Sequence, residues 1–409
     1  MNASIKHISI DQLQIGMFIT DGNNEWVPNS NFSRKGLVSR VEVIEQIRAL
    51  GVEALYIDVE RGKDVDVATE KKKASSAASN ANTASSELPS AATPLPTPTV
   101  SLSKEMEKAK VIQSEAITLI SRCMSDVKMG TAIDFDSVSG MSDRMIESLA
   151  NNHNALLCLT QLREKDSYLM EHSFNVSVLM GILATSIGYS GDMLHQAVTG
   201  ALLHDMGKVR VADEILHKPG KLLPEEWAEM QKHVTYGEEL LLKTPSMTPI
   251  MLDICAHHHE RINGKGYPRG LKGDEIPVHS RMASIVDVYD AITAERVYHK
   301  GMAPTLALKK LMQWAAEGQL DQQLVCFFIQ AMGVYPVGCV VELDKQKLAV
   351  VLEANESEPN KPKVVQMYDL KLRRYINKLS INLGDERCGR HIVKAAYAET
   401  YGIKIGDFV

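Results

Sequence analysis

Residues 194–208 read Leu-His-Gln-Ala-Val-Thr-Gly-Ala-Leu-Leu-His-Asp-Met-Gly-Lys. Leu194, Ala197, Val198, Ala201, Leu202 and Asp205 recur at the three- and four-residue spacing of one helix face. That face is apolar except at its end, where it carries a carboxylate with His204 beside it. Burying an unpartnered carboxylate is very costly, so Asp205 needs a metal, a cation or a hydrogen-bond network. Gly207 reads as the helix stop, and Lys208 follows it. The stretch predicts a mainly α protein whose chemistry sits at the end of an apolar helix.

Histidines point the same way. Ten of the 13 fall between residues 172 and 299. Ser167–Tyr189 reads as an amphipathic helix with His172, Val176, Leu179 and Leu183 on its core stripe. Pro224 opens a helix as its first residue, with His233 a few turns on. Met251–Ala256 is an apolar helix closed by His257, His258 and His259. Successive helical residues point about 100° apart, so at most two of these three share one centre. The loop that follows holds Gly264, Gly266, Pro268 and Gly270, a tight turn able to bring backbone against a ligand. Ser280–Ala294 reads as a helix with Met282, Ile285, Tyr289 and Ile292 inward. Asp287 and Asp290 lie together on an adjoining face, one suited to ligation and the other to support.

Singly, His172 fits a satisfied core histidine and His233 a solvent-facing one. Jointly, His172, His204, Asp205, His233, two of the three consecutive histidines and Asp287 form a nitrogen and oxygen set larger than one tetrahedral zinc needs. Such a set suits two octahedral divalent ions bridged by Asp205. Iron or manganese is favoured, with zinc, nickel or cobalt compatible. Paired ions about 3.5–4 Å apart provide a metal-bound hydroxide and clamp an in-line phosphoryl displacement. Lys208 can neutralise phosphate oxygens.

The remaining chain divides by composition. Residues 1–61 read as a small α+β domain. Ile8, Ile10, Leu13 and Met17–Ile19 form short strands around Gly16, Val41–Leu50 a helix stopped by Gly51, and Ala54–Val59 a strand. Residues 62–101 read as a flexible linker, because 24 of the 28 residues from Ala74 to Ser101 are Ala, Ser, Thr, Pro or Asn. Residues 102–160 are leading helices; the shared face of Ile112, Ala116, Ile120 and Cys123 suits either a core or a dimerisation contact. Helices with short loops fill 161–334, and 335–409 form a β-rich appendix with strands near 339–343, 347–353, 363–368 and 376–381. The net charge of −6 carries no basic block, which disfavours a nucleic-acid polymer as partner. No run suits a membrane span or a signal peptide, and six scattered cysteines without C-x-x-C fit the reducing cytoplasm.

An ordered set of strings carries a family likeness: EHSFNV at 171–176, LLHDMGK at 202–208, ADEILHKPGKL at 212–222, KHVTYG at 232–237, HHERINGKGYP at 258–268 and RMASIVDVYDAITAERVY at 281–298. Over residues 160–334 the chain resembles the HD-GYP family, a branch of the HD-domain metal-dependent phosphohydrolases. The resemblance implies an HD-domain helical bundle that hydrolyses cyclic di-GMP to linear pGpG, GMP or both. It implies metal ligands at His172, His204, Asp205, His233, His258, His259 and Asp287, leaving His257 out. It assigns phosphate contacts to Lys208 and Arg296, and substrate packing to Tyr267 with its loop neighbours Gly266 and Pro268. Lys300 compensates for His299, which stands where the family often has lysine. Tyr168 replaces the glutamate of members that hold a third ion, favouring a binuclear centre. Asn263 replaces the usual loop aspartate. Glu260, Asp290 and Glu171 are candidates to orient ligand imidazoles. Residues 1–61, through Ile15–Ile19 and Tyr56–Asp58, are similar to a small domain of unassigned function that often precedes such modules, which implies a regulatory or partner-binding element. Two alternatives accompany this reading: a catalytically impaired module that signals by protein contacts, and an HD-type nucleotide phosphohydrolase.

Overall fold

A computed structural model describes residues 5–10, 13–14, 17–19, 36–38, 44, 54–59, 61, 63, 88–89, 91–161, 168–294, 301–355, 358–396 and 399–401. The chain forms two compact units, 1–85 and 86–409.

The first unit is built on an antiparallel sheet of β1 (Ile5–Ser9), β2 (Phe18–Ile19), β3 (Gly36–Leu37) and β4 (Ala54–Asp58), in the order β1-β4-β2-β3. Ile5 pairs with Asp58 and Ser9 with Ala54. Alternation along the strands sends Ile8, Ile19, Leu55 and Ile57 into one small core with Met17 and Val38. The two-residue β3 is too short to leave a sequence signal. Of the helix expected over 41–50, only Ile44 lies among the described residues, and it is helical.

The second unit begins with α1 (Leu102–Lys128) and α2 (Phe135–Thr160), which lead into α3 (Tyr168–Ser186) and α4 (Gly191–Leu203). A 3-10 turn (Met206–Arg210) precedes α5 (Asp213–Leu216), α6 (Pro224–Gln231), α7 (His233–Leu241) and α8 (Pro249–His257). Then come α9 (Val278–Thr293), α10 (Pro304–Ala316) and α11 (Gln322–Met332). α3 is the axis of this bundle. The amphipathic reading of α3 is corrected: α1, α2, α4, α9 and α11 surround it, and it is buried on nearly every side from Glu171 to Ser186. Its small and apolar residues allow that; Gly181, for example, packs where a side chain would meet Leu149 and Val198.

The face of α1 that sequence left open between core and dimer contact is core. Ala109, Ile112, Ala116, Ile120 and Cys123 are buried within the bundle. Of the flexible linker expected over 62–101, residues 62, 64–87 and 90 lie outside the described residues, and 91–101 are fixed against the bundle. Thr93 N donates to Ser186 O at 2.7 Å, Thr99 N to Asn151 O at 2.9 Å, and Asn152 Nδ2 to Val100 O at 2.9 Å. Leu88, Ala92 and Leu95 pack on the helical core. Composition alone misses this, because a proline-rich strand without helix or sheet can still be fixed by its carbonyls and amides.

The C-terminal sheet is antiparallel, with β5 (Val340–Leu343), β6 (Lys347–Glu353), β7 (Lys363–Asp369), β8 (Arg374–Asn382) and β9 (Ile392–Ala396) in the order β8-β7-β6-β5-β9. β9, unread in the sequence, pairs Ala396 with Val340 and is half-exposed at the sheet edge.

Truncating Leu179 on α3 tests the central position of that helix. Leu179→Ala is expected to lower unfolding free energy by about 2–5 kcal/mol, read from denaturant midpoints. Leu372→Ala, at an exposed turn, is expected to change it by no more than about 0.5 kcal/mol.

Candidate metal centre

The site is assembled from helix ends. α4 stops at Leu203, so His204 caps it and Asp205 lies beyond it (φ −101°, ψ 8°) instead of on its last turn. The reading of Gly207 as a helix stop is likewise corrected. A Cβ on Gly207 would lie 1.9 Å from His233 O and 2.3 Å from Gly237 N, so glycine here permits backbone contact between the 3-10 turn and α7. That contact delivers His233, which opens α7 after a break at Lys232 and does not sit inside the preceding helix. His258 caps α8 and His259 follows it. His172 comes from the buried first turns of α3, and Asp287 and Asp290 from α9.

All seven residues expected as ligands meet, and they divide about Asp205. Its Oδ2 lies 3.6 Å from His172 Nε2 and 3.5 Å from His204 Nε2. Its Oδ1 lies 3.4 Å from His233 Nε2 and 4.0 Å from His258 Nε2. Asp287 spans the remaining edge, with Oδ1 3.2 Å from His172 Nε2 and Oδ2 3.5 Å from His259 Nδ1. The donor atoms cluster as His172–His204–Asp287, His204–Asp205–His258 and His233–His258–His259, each set within 4.8 Å.

The donor chemistry fits divalent cations. Nδ1 of His204, His233 and His258 lies 2.7, 2.7 and 2.8 Å from the carbonyls of Ala201, Met230 and Cys255. Facing an acceptor, each Nδ1 must carry the proton, which leaves an Nε2 lone pair aimed at the centre. Among the described residues, Nε2 of these three residues and Asp205 Oδ1 are buried without a hydrogen-bond partner. Such orphaned acceptors are rare in folded proteins unless something absent from the protein meets them. Burial holds the imidazoles neutral, pushing His233 down to about 4 and His258 down to about 3, with His204 adding to the latter. Asp205 resists its own burial: Lys208, His204 and His233 hold its carboxyl well below the ordinary range. His172 differs, because Asp287 and Asp290 overcome its burial and raise it to about 9. Its Nδ1 lies 2.7 Å from Asp290 Oδ2, so Asp290 orients the His172 ring while Asp287 faces the centre.

Lys208 Nζ donates to Asp205 Oδ2 at 2.5 Å and lies at the rim. His257 turns outward to Arg269, its Nδ1 3.1 Å from Asp253 O. The glycine-rich loop is braced by Glu260, whose carboxylate accepts from Arg269 N, Gly270 N and Leu271 N at 2.7, 3.1 and 3.1 Å. Glu260 thus holds the loop and does not orient an imidazole. A Cβ on Gly266 would lie 2.3 Å from Arg261 N, so the loop folds flat onto its own start. Tyr267 follows, its ring 4.7 Å from that of His259, before a cis bond to Pro268. Asn263 Oδ1 accepts from Lys265 N at 3.0 Å, so the amide keeps a turn that a carboxylate would make. Sequence reasoning missed Trp227, half-exposed, its ring centroid 6.2 Å from that of Tyr267 and edge-on to it. Nothing local marks it, because its neighbour is 40 residues away. Arg296, Lys300 and the side chain of Tyr168 lie outside the described residues.

Comparison with known proteins agrees with this geometry. The HD domain profile matches residues 144–324, and a domain of unknown function, DUF3391, matches residues 5–138. A cyclic di-GMP phosphodiesterase from Pseudomonas aeruginosa is 33% identical, covering 98% of this chain and 94% of that protein. A 3'3'-cGAMP-specific phosphodiesterase from Vibrio cholerae is 52% identical over 97 residues, covering 24% of this chain and 19% of its own. A solved HDG"Y"P protein from Bdellovibrio bacteriovorus aligns with TM-score 0.46 at 17% identity, covering 79% of this chain and 98% of that one. Fold and site together define an HD-domain protein with a histidine–aspartate centre able to hold metal. The chain belongs to the HD-GYP phosphodiesterase family.

Two outcomes follow from the geometry. Gly207→Ala should push α7 away and weaken metal retention, measured by dialysis against chelator, while Gly140→Ala, which meets no atom within 4 Å, should retain metal normally. In the metal-free protein, unfolded His233 and His258 titrate near 6.5, whereas folded they resist protonation until about 4 and about 3. Below pH 6.5 the unfolded chain takes up protons that the folded chain refuses, so stability falls as pH drops. The slope is at most ~1.4 kcal/mol per pH unit for each histidine. Denaturation midpoints across pH 6.5 to 4 should show a shallower slope in His233→Gln.

Proposed function

We propose that this chain is a metal-dependent phosphodiesterase that hydrolyses cyclic di-GMP to linear pGpG and, by a second cut, GMP. One observation carries the reading: the two oxygens of a single buried carboxylate face separate imidazole sets. We infer two divalent ions, iron or manganese favoured. His172, His204 and Asp287 would hold one with Asp205 Oδ2. His233, His258 and His259 would hold the other with Asp205 Oδ1. When bound, such ions supply positive charge to phosphoryl oxygens and an activated water for in-line displacement. The chain supplies the rest. Backbone carbonyls fix the proton on Nδ1 of three imidazoles, keeping their Nε2 atoms free of it. Lys208, at the rim, neutralises a non-bridging phosphate oxygen, and Arg296 and Lys300 take others by family pattern. Tyr267, Gly266 and Pro268 form a rigid wall against the sugar and base.

The relative named as a cyclic di-GMP phosphodiesterase aligns over nearly the whole chain, which supports this substrate. The high identity to the 3'3'-cGAMP-specific relative over 97 residues favours cyclic GMP-AMP as a second reading. The impaired-module alternative loses its motive, because Asn263 keeps the loop turn. The six cysteines are free, which supports a place in the reducing cytoplasm. Among the described residues no helix is long and apolar enough to cross a membrane. The N-terminal unit serves in this reading as a regulatory or partner-binding element.

Anaerobic purification with elemental analysis is expected to find two ions per chain, and chromatography to find pGpG or GMP from cyclic di-GMP. Asp205→Ala should lose both ions and all turnover; undiminished hydrolysis in that variant would refute the assignment. Asp290→Asn should retain the fold and lose about 10–100-fold in metal affinity or turnover. Faster cleavage of cyclic GMP-AMP than of cyclic di-GMP would select the second reading.

A further inference from the structure

Trp227 lies on α6, a helix of 8 residues with no buried side chain. Polar ties hold that helix in place of core packing. Glu226 accepts from Leu223 N at 2.7 Å and from Lys218 Nζ at 2.6 Å, and Glu229 accepts from Tyr236 Oη of α7 at 2.9 Å. Trp227 takes part in none of them, and it is 48% exposed. The indole is thus held on a fixed element without serving its fold. A single exposed apolar side chain is ordinary on a protein surface. What sets this one apart is where it stands.

A chain of rings leads to it from the metal centre. The Tyr267 ring lies 4.7 Å from that of His259 and 32° from parallel, so one face of Tyr267 is taken up by an imidazole of the donor set. Trp227 comes next, at 6.2 Å and 81° to Tyr267. His233 also reaches within 6.5 Å of Tyr267, and α6 runs into it through Lys232. The same stretch of backbone therefore carries the exposed indole and an imidazole of the centre. Tyr267 and Trp227 make a right-angled aromatic corner that starts against the donor set and ends in solvent. Such a corner suits a flat ring tethered to a group at the centre. Nucleobases stack on aromatic side chains whatever their sequence, because every base has a π face. Trp has only two side-chain torsions to fix, so stacking on it costs little order.

We propose that Trp227 is the base platform of the substrate site: one purine of the cyclic dinucleotide stacks on the exposed face of its indole while the phosphate joined to that nucleoside sits at the metal centre. The assignment rests on the phosphodiesterase reading and adds to it the residue that grips the base. Tyr267 closes the corner from the side. Stacking does not tell guanine from adenine, so Trp227 sets affinity for cyclic dinucleotides as a class and does not choose between cyclic di-GMP and cyclic GMP-AMP.

The test uses the full-length, metal-loaded protein, with steady-state kinetics on both dinucleotides and tryptophan fluorescence titrated with a hydrolysis-resistant phosphorothioate of cyclic di-GMP. Trp227→Ala is expected to raise KM about tenfold for both substrates while kcat stays within about threefold and metal content is unchanged. Trp227→Phe, which keeps a flat ring, should recover most of that loss. Leu242→Ala, more exposed than Trp227 and at the end of α7, should leave KM unchanged. The analogue should quench the emission of the wild-type protein, and the quench should vanish in Trp227→Phe, which retains Trp26 and Trp314. An unchanged KM in Trp227→Ala, or a quench that persists in Trp227→Phe, overturns the platform and leaves the hydrolase reading standing. Joint loss of metal and kcat in both Trp227 variants also overturns it, because Trp227 then supports the fold. If the wild-type protein cleaves neither dinucleotide, the hydrolase reading falls and the titration still decides the platform: a quench lost in Trp227→Phe supports it, and no quench overturns it.

Discussion

A carboxylate in the middle of an apolar bundle is the constraint around which this protein is arranged. Asp205 is 1% exposed, and a bare charge there would be intolerable. Imidazoles from four directions and the ammonium of Lys208 surround it. Burial favours the neutral form of His204, His233 and His258, so these offer dipoles and lone pairs more than charge, whereas Asp287 and Asp290 raise His172. Among the described residues, Lys208 supplies the one permanent cation in direct contact. The protein alone therefore leaves acceptors facing acceptors: Asp205 Oδ1 and three Nε2 atoms point at one another with no proton between them. Divalent ions would be natural occupants of such a space, whose rim is formed by the half-buried Lys208 and Tyr267.

Delivering these donors depends on where helices stop. Helix faces place side chains at fixed spacing, but they cannot turn two neighbouring histidines toward one point. Caps can, because the backbone leaves the helical path there. His204, His233, His258 and His259 all sit at such ends, and close backbone approach at Gly207 and Gly237 brings the 3-10 turn and α7 together. Glu260 then ties the following loop down through three amides, so the wall carrying Tyr267 is held by one side chain.

Much of this was legible in the sequence, for a definite reason. Histidine and aspartate at the ends of apolar helices are costly to bury unless something binds them, and their order along the chain matched a known pattern. Other features were hidden because they depend on partners far away in sequence. The all-round burial of α3 was invisible to a reading of its period, which sees apolar residues but not how many neighbours cover them. The periodicity of 194–205 runs smoothly past Leu203, so the change from α-helix to 3-10 turn left no mark. Low-complexity residues 91–101 looked unstructured because their order comes from hydrogen bonds to Ser186, Asn151 and Asn152. β9 is short and half-exposed, with little alternation to announce it.

The four best-defined imidazoles are not anchored alike. His204, His233 and His258 lean on main-chain oxygens, which no substitution can delete. His172 leans on Asp290, a side chain. Three of these imidazoles are thus hard-wired into the backbone, while the orientation of the fourth is open to change by altering a single position on α9.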